Sequence, residues 1–338
     1  MKNYSIAICF ISIFFGCKTS SSLVKSDKII VTFGSCNKLD KENVFWDDIL
    51  AQNPDAFIWG GDIVYADTDT IAKTRKLYAL QKKIPAYAAL KEKVFITGTW
   101  DDHDYGLNDG GEEFVAKKES QQAFLDFMDV PKDSPRRKRE GVYSSQLIPK
   151  SNGLVKIINL DTRYFRTGLT DDKGKGKRFK PNPPGVGTIL GDAQWKWLEE
   201  ELTSSKATFN LIVTSIQFLS GEHGFEKWEN HPSEVLKMKK LIVDSKAKGV
   251  LLLSGDRHIS EFSKVSVPGL SYPLVDFTSS GLTHSYSNYS GEKNTNRVGE
   301  VVSTTSFGLL ELDIASNNAV LKIMGDNGVV LQELKQSY

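Results

Sequence analysis

The fold of this chain is decided by Val94-Phe95-Ile96-Thr97-Gly98-Thr99-Trp100-Asp101-Asp102-His103-Asp104, where an apolar run ends abruptly in acids. The first half of the stretch is apolar and β-branched, which predicts a buried strand. Acidic side chains crowded at the end of a buried strand repel one another and lose hydration unless a cation neutralises them. The stretch therefore predicts part of a metal site, and the alternative is a solvated surface loop.

Three further apolar runs end in side chains that commonly bind metals. These runs, predicted as strands, are Lys28–Phe33, Ala56–Trp59 and Gly249–Ser254. The side chains that follow them are Cys36, then Asp62 and Tyr65, then Asp256 and His258. Groups beyond the carboxyl ends of strands in an open α/β sheet converge in one crevice, so the four strand ends predict a single shared site. Glycine at each strand end permits close approach of the backbone.

Strands and helices alternate along most of the chain, which predicts an α/β domain with a substantial mixed sheet. Asp40 is predicted to cap a helix, residues 69–91 to be helical with a break at Pro85, and Asp192 to open another helix. The remaining predicted strands are Leu154–Leu160, Phe209–Ser215 and Leu274–Thr278, followed by an antiparallel meander of Phe307–Ile314, Ala319–Met324 and Val329–Leu334.

The composition is that of an ordinary globular protein. The 338 residues are 40% hydrophobic and 10% aromatic, and the formal net charge is +1. This balance excludes a wholesale nucleic-acid binder, and no specific nucleic-acid partner is expected. Two basic segments, Lys132–Glu140 and Asp171–Lys180, predict long surface loops that are either solvated faces or collectors of anionic substrate.

The N-terminus has the pattern of a lipoprotein signal peptide. A short positive start is followed by an apolar run, Tyr4–Phe15, and then by Gly16-Cys17. The run is too short to span a bilayer comfortably, and a small residue before a cysteine resembles a lipobox. We expect residues 1–16 to be removed, Cys17 to carry the lipid, residues 17–27 to form a tether and residues 28–338 to form a single domain. The alternatives are secretion with cleavage near Ser20 or an uncleaved anchor.

An exported location leaves one cysteine to explain. Lys18, directly after the lipidated cysteine, favours an outer-membrane anchor, so the protein is expected at the periplasmic or outer-membrane face. Cys9 leaves with the signal peptide and Cys17 is lipidated, so Cys36 is unpaired. It is either an inert buried thiol or a thiolate ligand. The metal-binding residue types after the other strand ends favour the ligand.

The mixture of ligand types predicts more than one ion. A thiolate and a phenolate suit a trivalent iron, whereas carboxylates and an asparagine oxygen suit calcium or magnesium. Asp62 is well placed to bridge two ions. Two adjacent cations clamp the attacking and leaving oxygens in phosphoryl hydrolysis, so the ligand pattern indicates phosphoester chemistry.

Four segments carry a resemblance to a known family. They are Phe33-Gly34-Ser35-Cys36, Gly61-Asp62-Ile63-Val64-Tyr65, Trp100-Asp101-Asp102-His103-Asp104 and Ser254-Gly255-Asp256-Arg257-His258. Together they resemble the PhoD-like alkaline phosphatases, in the same order, over a region from about residue 29 to residue 283. The resemblance implies the four-layer α-β-β-α sandwich of the metallophosphatases, with mixed sheets between helical layers.

The resemblance also implies a set of metal ligands. Fe3+ would be held by Cys36, Asp62 and Tyr65, and the residues that complete the iron site and hold one or two Ca2+ would be Asp101, Asn108, Asp256 and His258. Asp102 is the alternative to Asp101 as a ligand. Ile63 stands where some members have an arginine, and Arg257 is a candidate to supply that charge instead.

The expected function is hydrolysis of small phosphomonoesters by a metal-bound hydroxide, in a hydrolase of the alkaline phosphatase D type anchored to the membrane by its lipid. Asn108 and Arg257 are the candidates for substrate contacts, and His103 either protonates the leaving group or holds a neighbouring carboxylate in place. One alternative is a phosphodiesterase or phospholipase D-type activity at the same site. The other is a surface lipoprotein that binds anions without turnover, against which the intact ligand positions argue.

Overall fold

The computed structural model describes residues 1, 28–150, 153–174 and 178–338 of the chain. The predicted signal peptide from residue 2 onward, the lipidated Cys17 and the tether over residues 17–27 lie outside the described residues. None of the helices in the described ranges has the length and apolarity that a membrane span requires.

The described ranges contain strands and helices in alternation. The strands are β1 (Lys28–Gly34), β2 (Ala56–Gly60), β3 (Phe95–Thr99), β4 (Ser144–Lys150), β5 (Gly153–Asn159), β6 (Thr170–Asp171), β7 (Phe179–Lys180), β8 (Phe209–Val213), β9 (Val250–Ser254), β10 (Ser260–Val265), β11 (Leu274–Ser279), β12 (Arg297–Val302), β13 (Phe307–Asp313), β14 (Asn318–Met324) and β15 (Val330–Ser337). The helices are α1 (Trp46–Ala51), α2 (Ile71–Lys83), α3 (Pro85–Lys93), α4 (Asp102–Tyr105), α5 (Lys117–Phe127), α6 (Gly191–Thr203) and α7 (Pro232–Ser245). Short 3-10 turns lie at Pro135–Arg137, Trp228–Asn230 and Asp326–Gly328.

Most of the strands belong to two large mixed sheets. One has the strand order β15-β14-β13-β1-β2-β3 and the other has the order β12-β10-β11-β9-β8-β5-β4. In the first sheet β1, β2 and β3 are parallel and β13 to β15 form the antiparallel meander. In the second sheet β5, β8, β9 and β11 are parallel. Parallel strands bring their carboxyl ends to the same edge, so each sheet contributes one such edge to the site.

The core lies between the two sheets, and helices cover their outer faces. Ile29, Val31 and Phe33 alternate along β1 and pack in one cluster with Leu211 and Val213 of β8. Helices α1, α2, α3 and α5 pack on the outer face of the first sheet, and α6 and α7 pack on the outer face of the second. The four layers confirm the predicted α-β-β-α sandwich.

The helix predicted to begin at Asp40 in fact begins at Trp46. Asn43 Oδ1 accepts the N–H of Phe45 at 3.0 Å, and this local hydrogen bond holds the preceding segment in a turn rather than in a helix. The predicted break at Pro85 is present and separates α2 from α3. Helices α5 and α7 and strand β4 had not been predicted from the sequence pattern.

Candidate metal centre

The carboxyl ends of strands from both sheets meet at one edge of the sandwich. Cys36, which follows β1, has its Sγ 3.4 Å from Oδ2 of Asp62 after β2 and 3.9 Å from the carbonyl oxygen of Asp256 after β9. The sheets approach closely because Gly255 has no side chain: a Cβ there would lie 2.5 Å from Ser35 Oγ. The structure thus brings together the strand ends that the sequence predicted to converge.

Ligand-type atoms at this edge form three overlapping groups, and within each group the atoms lie within 4.8 Å of one another. The groups are Cys36, Asp62 and His258; Asp62, Asp102 and His103; and Asp101, Asp102 and Asp256. Asp62 belongs to the first two groups and Asp102 to the last two. The arrangement offers adjacent cation positions joined by shared carboxylates.

Tyr65 lies against the first of these groups. Its hydroxyl donates to Asp62 Oδ2 at 3.2 Å and lies 3.2 Å from His258 Nε2. The Tyr65 ring also packs against the ring of His103, with ring centroids 4.1 Å apart and an angle of 31° between the ring planes. One position is therefore surrounded by the phenol of Tyr65 and by the thiol, carboxyl group and imidazole of the first ligand group. That thiol belongs to Cys36.

Four of the predicted ligand residues have a left-handed backbone. The φ angles are 62° at Cys36, 52° at Asp62, 67° at Asp256 and 53° at His258. For residues other than glycine this conformation costs about 1–3 kcal/mol, and it persists only where the surroundings enforce it. Clustering of strained residues is typical of functional sites, and here the strain falls on the side chains that converge.

The two neighbouring aspartates Asp101 and Asp102 have different surroundings. Asp101 Oδ1 accepts hydrogen bonds from Arg163 Nε and from Ser215 Oγ, each at 2.6 Å. Asp102 accepts two backbone N–H groups, at 2.9 Å and 2.7 Å, and lines a cavity of about 340 Å³. The buried guanidinium of Arg163 therefore binds Asp101, whereas Asp102 faces the cavity.

Burial and mutual repulsion dominate the electrostatics of the acids. Burial, reinforced by Asp102, raises the pKa of Asp62 to about 6, and burial raises the pKa of Asp101 and of Asp256 well above the ordinary carboxyl value. Asp62 Oδ1 and Asp101 Oδ2 are buried and receive no hydrogen bond from any described residue. Buried carboxylate oxygens without donors are the groups that a bound cation would satisfy.

The thiol of Cys36 and the phenol of Tyr65 are also held neutral. Burial raises the pKa of both groups, and the neighbouring Asp62 raises each further. A bound metal ion inverts this local balance, because a coordinating thiol is deprotonated outright. Thiolate, phenolate, carboxylate and imidazole together make a donor set that fits Fe3+, so the residues present fit an iron position.

The cavity beside the ligand groups contains a nearly buried arginine. Arg257 is 8% exposed, donates from Nη2 to Glu292 Oε1 at 2.7 Å and places its guanidinium 4.0 Å from the ring centre of Phe225. Its Nε has no hydrogen-bond partner among the described residues. Asn108 also lines the cavity and donates to Asp109 Oδ2 at 2.9 Å. A largely buried cation that lines the cavity favours binding of an anion there.

His103 is paired with an exposed acid. Its Nδ1 lies 2.6 Å from Oδ1 of Asp67, which is 46% exposed. Burial alone would lower the pKa of His103, but Asp67, Asp62 and Asp102 outweigh it and raise that pKa to about 10. In the metal-free protein the imidazole is therefore a cation at neutral pH, held in one orientation by Asp67.

This pairing predicts a pH dependence of stability. Because the folded pKa of His103 is raised, its contribution to stability is fully present below pH 6.5 and is lost as the pH rises towards about 10. The stability difference between wild type and Asp67→Asn should therefore shrink between pH 6.5 and pH 10. Thermal unfolding of chelator-treated protein measures this difference. A constant offset across that range would show that the His103–Asp67 pair does not titrate there.

Comparison with known proteins gives the family. The model of the PhoD-like phosphatases matches residues 31–322 of the chain. The chain belongs to the PhoD-like phosphatase family. Among curated proteins, this PhoD-like phosphatase is 25% identical over 188 residues to alkaline phosphatase D of Bacillus subtilis (strain 168). That match covers 50% of this chain and 32% of the relative's length.

Two solved structures share the fold of this PhoD-like phosphatase. One, described as the structure of PhoD, has a TM-score of 0.74 at 17% identity and covers 92% of this chain and 68% of its own. The other, described as GAP50, the anchor in the inner membrane complex of Plasmodium, has a TM-score of 0.60 at 13% identity and covers 92% of this chain and 89% of its own. At these identities the likeness shows the fold alone. The family and the fold predicted from the sequence are both confirmed.

Some residues at the site of this PhoD-like phosphatase gave no signal in the sequence. Arg163, after β5, is fully buried and forms ion pairs with both Asp101 and Glu226. Ser280, after β11, has its Oγ 3.0 Å from Cys36 Sγ. The apolar runs before both residues were recognised as strands, but arginine and serine are poor metal ligands and did not mark their strand ends as functional.

The two basic loops differ in their relation to the site. In the first, Arg136 and Arg137 donate to the backbone carbonyls of Val142 at 3.0 Å and Pro131 at 2.9 Å, so these side chains fasten the loop to the fold. In the second, Arg178 lines the cavity and forms an ion pair with Asp109. Of the described parts of these loops, the second therefore reaches the site.

Proposed function

We propose that this protein is a metal-dependent phosphoesterase that hydrolyses small phosphomonoesters. The observation that carries the proposal is the set of three overlapping ligand groups, joined by Asp62 and Asp102, beside a cavity that contains Arg257. Adjacent cations held by shared carboxylates stabilise the attacking and leaving oxygens of an in-line phosphoryl displacement. Membership of the PhoD-like phosphatases and similarity to an alkaline phosphatase D support the same chemistry.

We propose two kinds of ion at the site. Fe3+ would be held by Cys36, Asp62, Tyr65 and His258, and one or two Ca2+ by Asp62, Asp102 and Asp256. When bound, these ions supply the positive charge that neutralises phosphoryl oxygens and lowers the pKa of water. Asp102 is the better ligand candidate of the neighbouring pair, because it belongs to two of the three ligand groups and lines the cavity, whereas the charge of Asp101 is already balanced by the buried Arg163.

The chain's own side chains bind and orient the substrate around these ions. Arg257 contacts the phosphoryl oxygens, since its guanidinium is the positive charge of a side chain that lines the cavity. Asn108 lies on the same cavity wall and offers an amide for a second contact. His103, held in one orientation by Asp67, is the residue that delivers a proton to the leaving oxygen.

Metal content and substrate preference of the purified protein test the proposal together. We expect iron and calcium by elemental analysis, a tyrosinate absorption in the visible spectrum, and faster turnover of p-nitrophenyl phosphate than of bis(p-nitrophenyl) phosphate. Absence of iron, of the absorption and of phosphatase activity after metal loading would refute the proposal. Faster turnover of the diester would favour the phosphodiesterase alternative, and phosphate binding without turnover would favour the anion-binding one.

Arg257→Met should lower kcat/KM for a phosphomonoester by roughly 10- to 150-fold, which corresponds to loss of a charge-assisted hydrogen bond of about 1.5–3 kcal/mol. Methionine keeps an apolar contact with Phe225, so the fold should be retained. Glu292→Gln is the matched control, because it neutralises the acid partner of Arg257 and leaves the guanidinium in place. Unchanged kcat/KM in Arg257→Met would show that this arginine does not contact the substrate.

We also propose that the protein is exported and anchored through lipid on Cys17, as the N-terminal sequence pattern indicates. Cys17→Ala should release the protein from the membrane fraction and abolish incorporation of a labelled fatty acid. Membrane association equal to wild type in that variant would contradict the anchor.

A further inference from the structure

A further strand end of the second sheet reaches the proposed iron position. After β11 the chain runs back along the residues that follow β1. Leu282 donates its N–H to the carbonyl of Ser35 at 3.1 Å, and Thr283 donates its N–H to the carbonyl of Cys36 at 3.3 Å. These two backbone hydrogen bonds fix the position of the next residue, His284, beside the turn that carries Cys36.

His284 is in direct contact with Tyr65. Its Nε2 lies 3.2 Å from the hydroxyl oxygen of Tyr65, the same separation that this oxygen has from Asp62 Oδ2 and from His258 Nε2. The imidazole also packs edge-on against the rings of Tyr65 and His258, with centroid distances of 5.4 Å and 4.4 Å. His284 therefore occupies one of three positions around the phenol oxygen.

Of these three neighbours, His284 is suited to donate a hydrogen bond to an ionised Tyr65. The carboxylate of Asp62 can accept hydrogen bonds but cannot donate them. His258 belongs to the ligand group of Cys36 and Asp62, so its nitrogen is taken when an ion is bound there. His284 belongs to none of the three ligand groups found among the described residues, so its Nε2 is free for the phenolate.

Thr283 is placed to set the tautomer of His284. The hydroxyl oxygen of Thr283 accepts the N–H of Lys38 at 2.8 Å and lies 3.1 Å from His284 Nδ1. When the Thr283 hydroxyl donates a hydrogen bond to Nδ1, the neutral imidazole carries its proton on Nε2, which faces Tyr65. The carbonyl of Cys36 is a second acceptor for this hydroxyl, at 3.1 Å, and it also accepts the backbone N–H of Thr283 at 3.3 Å.

We propose that His284 is a positioning residue that donates a hydrogen bond from Nε2 to the phenolate of Tyr65, and that it thereby tunes the iron. This role rests on the iron–tyrosinate centre of the proposed function. A hydrogen bond to a coordinated ligand withdraws electron density from the bond to the metal. The ion then keeps more positive charge for the substrate, and the phenolate-to-iron charge-transfer absorption moves to higher energy.

Absorption spectra of the iron-loaded protein measure the effect of this hydrogen bond. His284→Leu removes the donor, and the charge-transfer band should move to longer wavelength with iron content unchanged. His284→Gln returns an amide N–H and should bring the band back towards its wild-type position. Tyr65→Phe should abolish the band and so establish its origin. Transfer to D2O should shift the phenolate vibrations in resonance Raman spectra of wild type and not those of His284→Leu.

The outcomes separate this inference from the proposed function. An unmoved band in iron-bound His284→Leu would overturn the role of His284 and leave the iron proposal standing. Absence of the band from the wild-type protein would overturn the iron–tyrosinate centre, and the role of His284 with it. If His284→Leu fails to fold or to bind iron, Thr283→Val decides: a smaller shift in the same direction supports the role, and an unmoved band overturns it.

Discussion

Asp62→Asn should lower phosphomonoesterase activity by at least about a thousandfold, the upper range for loss of a single transition-state stabiliser. Asp62 belongs to two of the three ligand groups, so the substitution weakens both adjacent cation positions. Cys36 and Tyr65 also donate hydrogen bonds to its Oδ2, so two neighbouring donors lose the carboxylate that organises them. Steady-state kinetics and elemental analysis of the same samples should show loss of turnover and of metal together.

Asparagine is the informative replacement because Asp62 has a φ of 52°. Asparagine tolerates this left-handed conformation, whereas Asp62→Ala should be equally inactive and less stable. Without metal, Asp62→Asn should be at least as stable as wild type, since it removes a buried carboxyl group whose pKa is raised to about 6 by burial. Asp133→Asn, at an exposed position, is the matched control and should change neither property. Wild-type metal content and turnover in Asp62→Asn would contradict a bridging role.

Arg163→Met should lower the free energy of unfolding by about 3–5 kcal/mol, the usual penalty for removing one partner of a buried ion pair. Arg163 is fully buried and pairs with both Asp101 and Glu226. Without it, the buried Asp101 loses its counter-ion, and Glu226 keeps only its ion pair with Arg166. Urea unfolding of the metal-free protein measures the effect, and metal loading should restore part of the stability because a cation again neutralises the acids.

Two further variants of the same network sharpen this prediction. Arg178→Met is the matched control, since Arg178 pairs with Asp109 but its side chain is 52% exposed, and the expected change is about 1 kcal/mol or less. Adding Asp101→Asn to Arg163→Met should recover part of the lost stability, because Asp101 is the buried carboxylate that Arg163→Met leaves without a counter-ion. Equal losses of unfolding free energy in Arg163→Met and Arg178→Met would show that burial of the ion pair does not determine its contribution to stability.

The candidate ligand residues that were predictable from sequence are those that stand directly after strand ends. Cys36, Asp62, Asp256 and His258 each follow a short apolar run and glycine, and parallel strands share an edge, so their convergence follows from the chain pattern. The sandwich was expected through the resemblance of the same segments to one family. These features are local in sequence, and local patterns survive folding well.

Features that depend on distant partners could not be predicted in this way. The sequence left Asp101 and Asp102 equivalent, and they differ in the structure because Arg163, 62 residues after Asp101, engages the first of them. His284 reaches Tyr65 through the pairing of the segment after β11 with the segment after β1, and no periodicity in the sequence encodes that pairing. The pairing of polar side chains at the site is therefore determined only when the two sheets have assembled.

The left-handed backbone at Cys36, Asp62, Asp256 and His258 has a consequence for evolution. At these positions a chain that no longer bound metal would gain stability by drifting towards glycine, which adopts a left-handed backbone without strain. Selection for the proposed metal binding is thus opposed by selection for stability at the same four positions. A duplicated copy that had lost its activity should show replacements at these positions first. The four positions therefore offer a criterion that distinguishes active relatives from inactive ones.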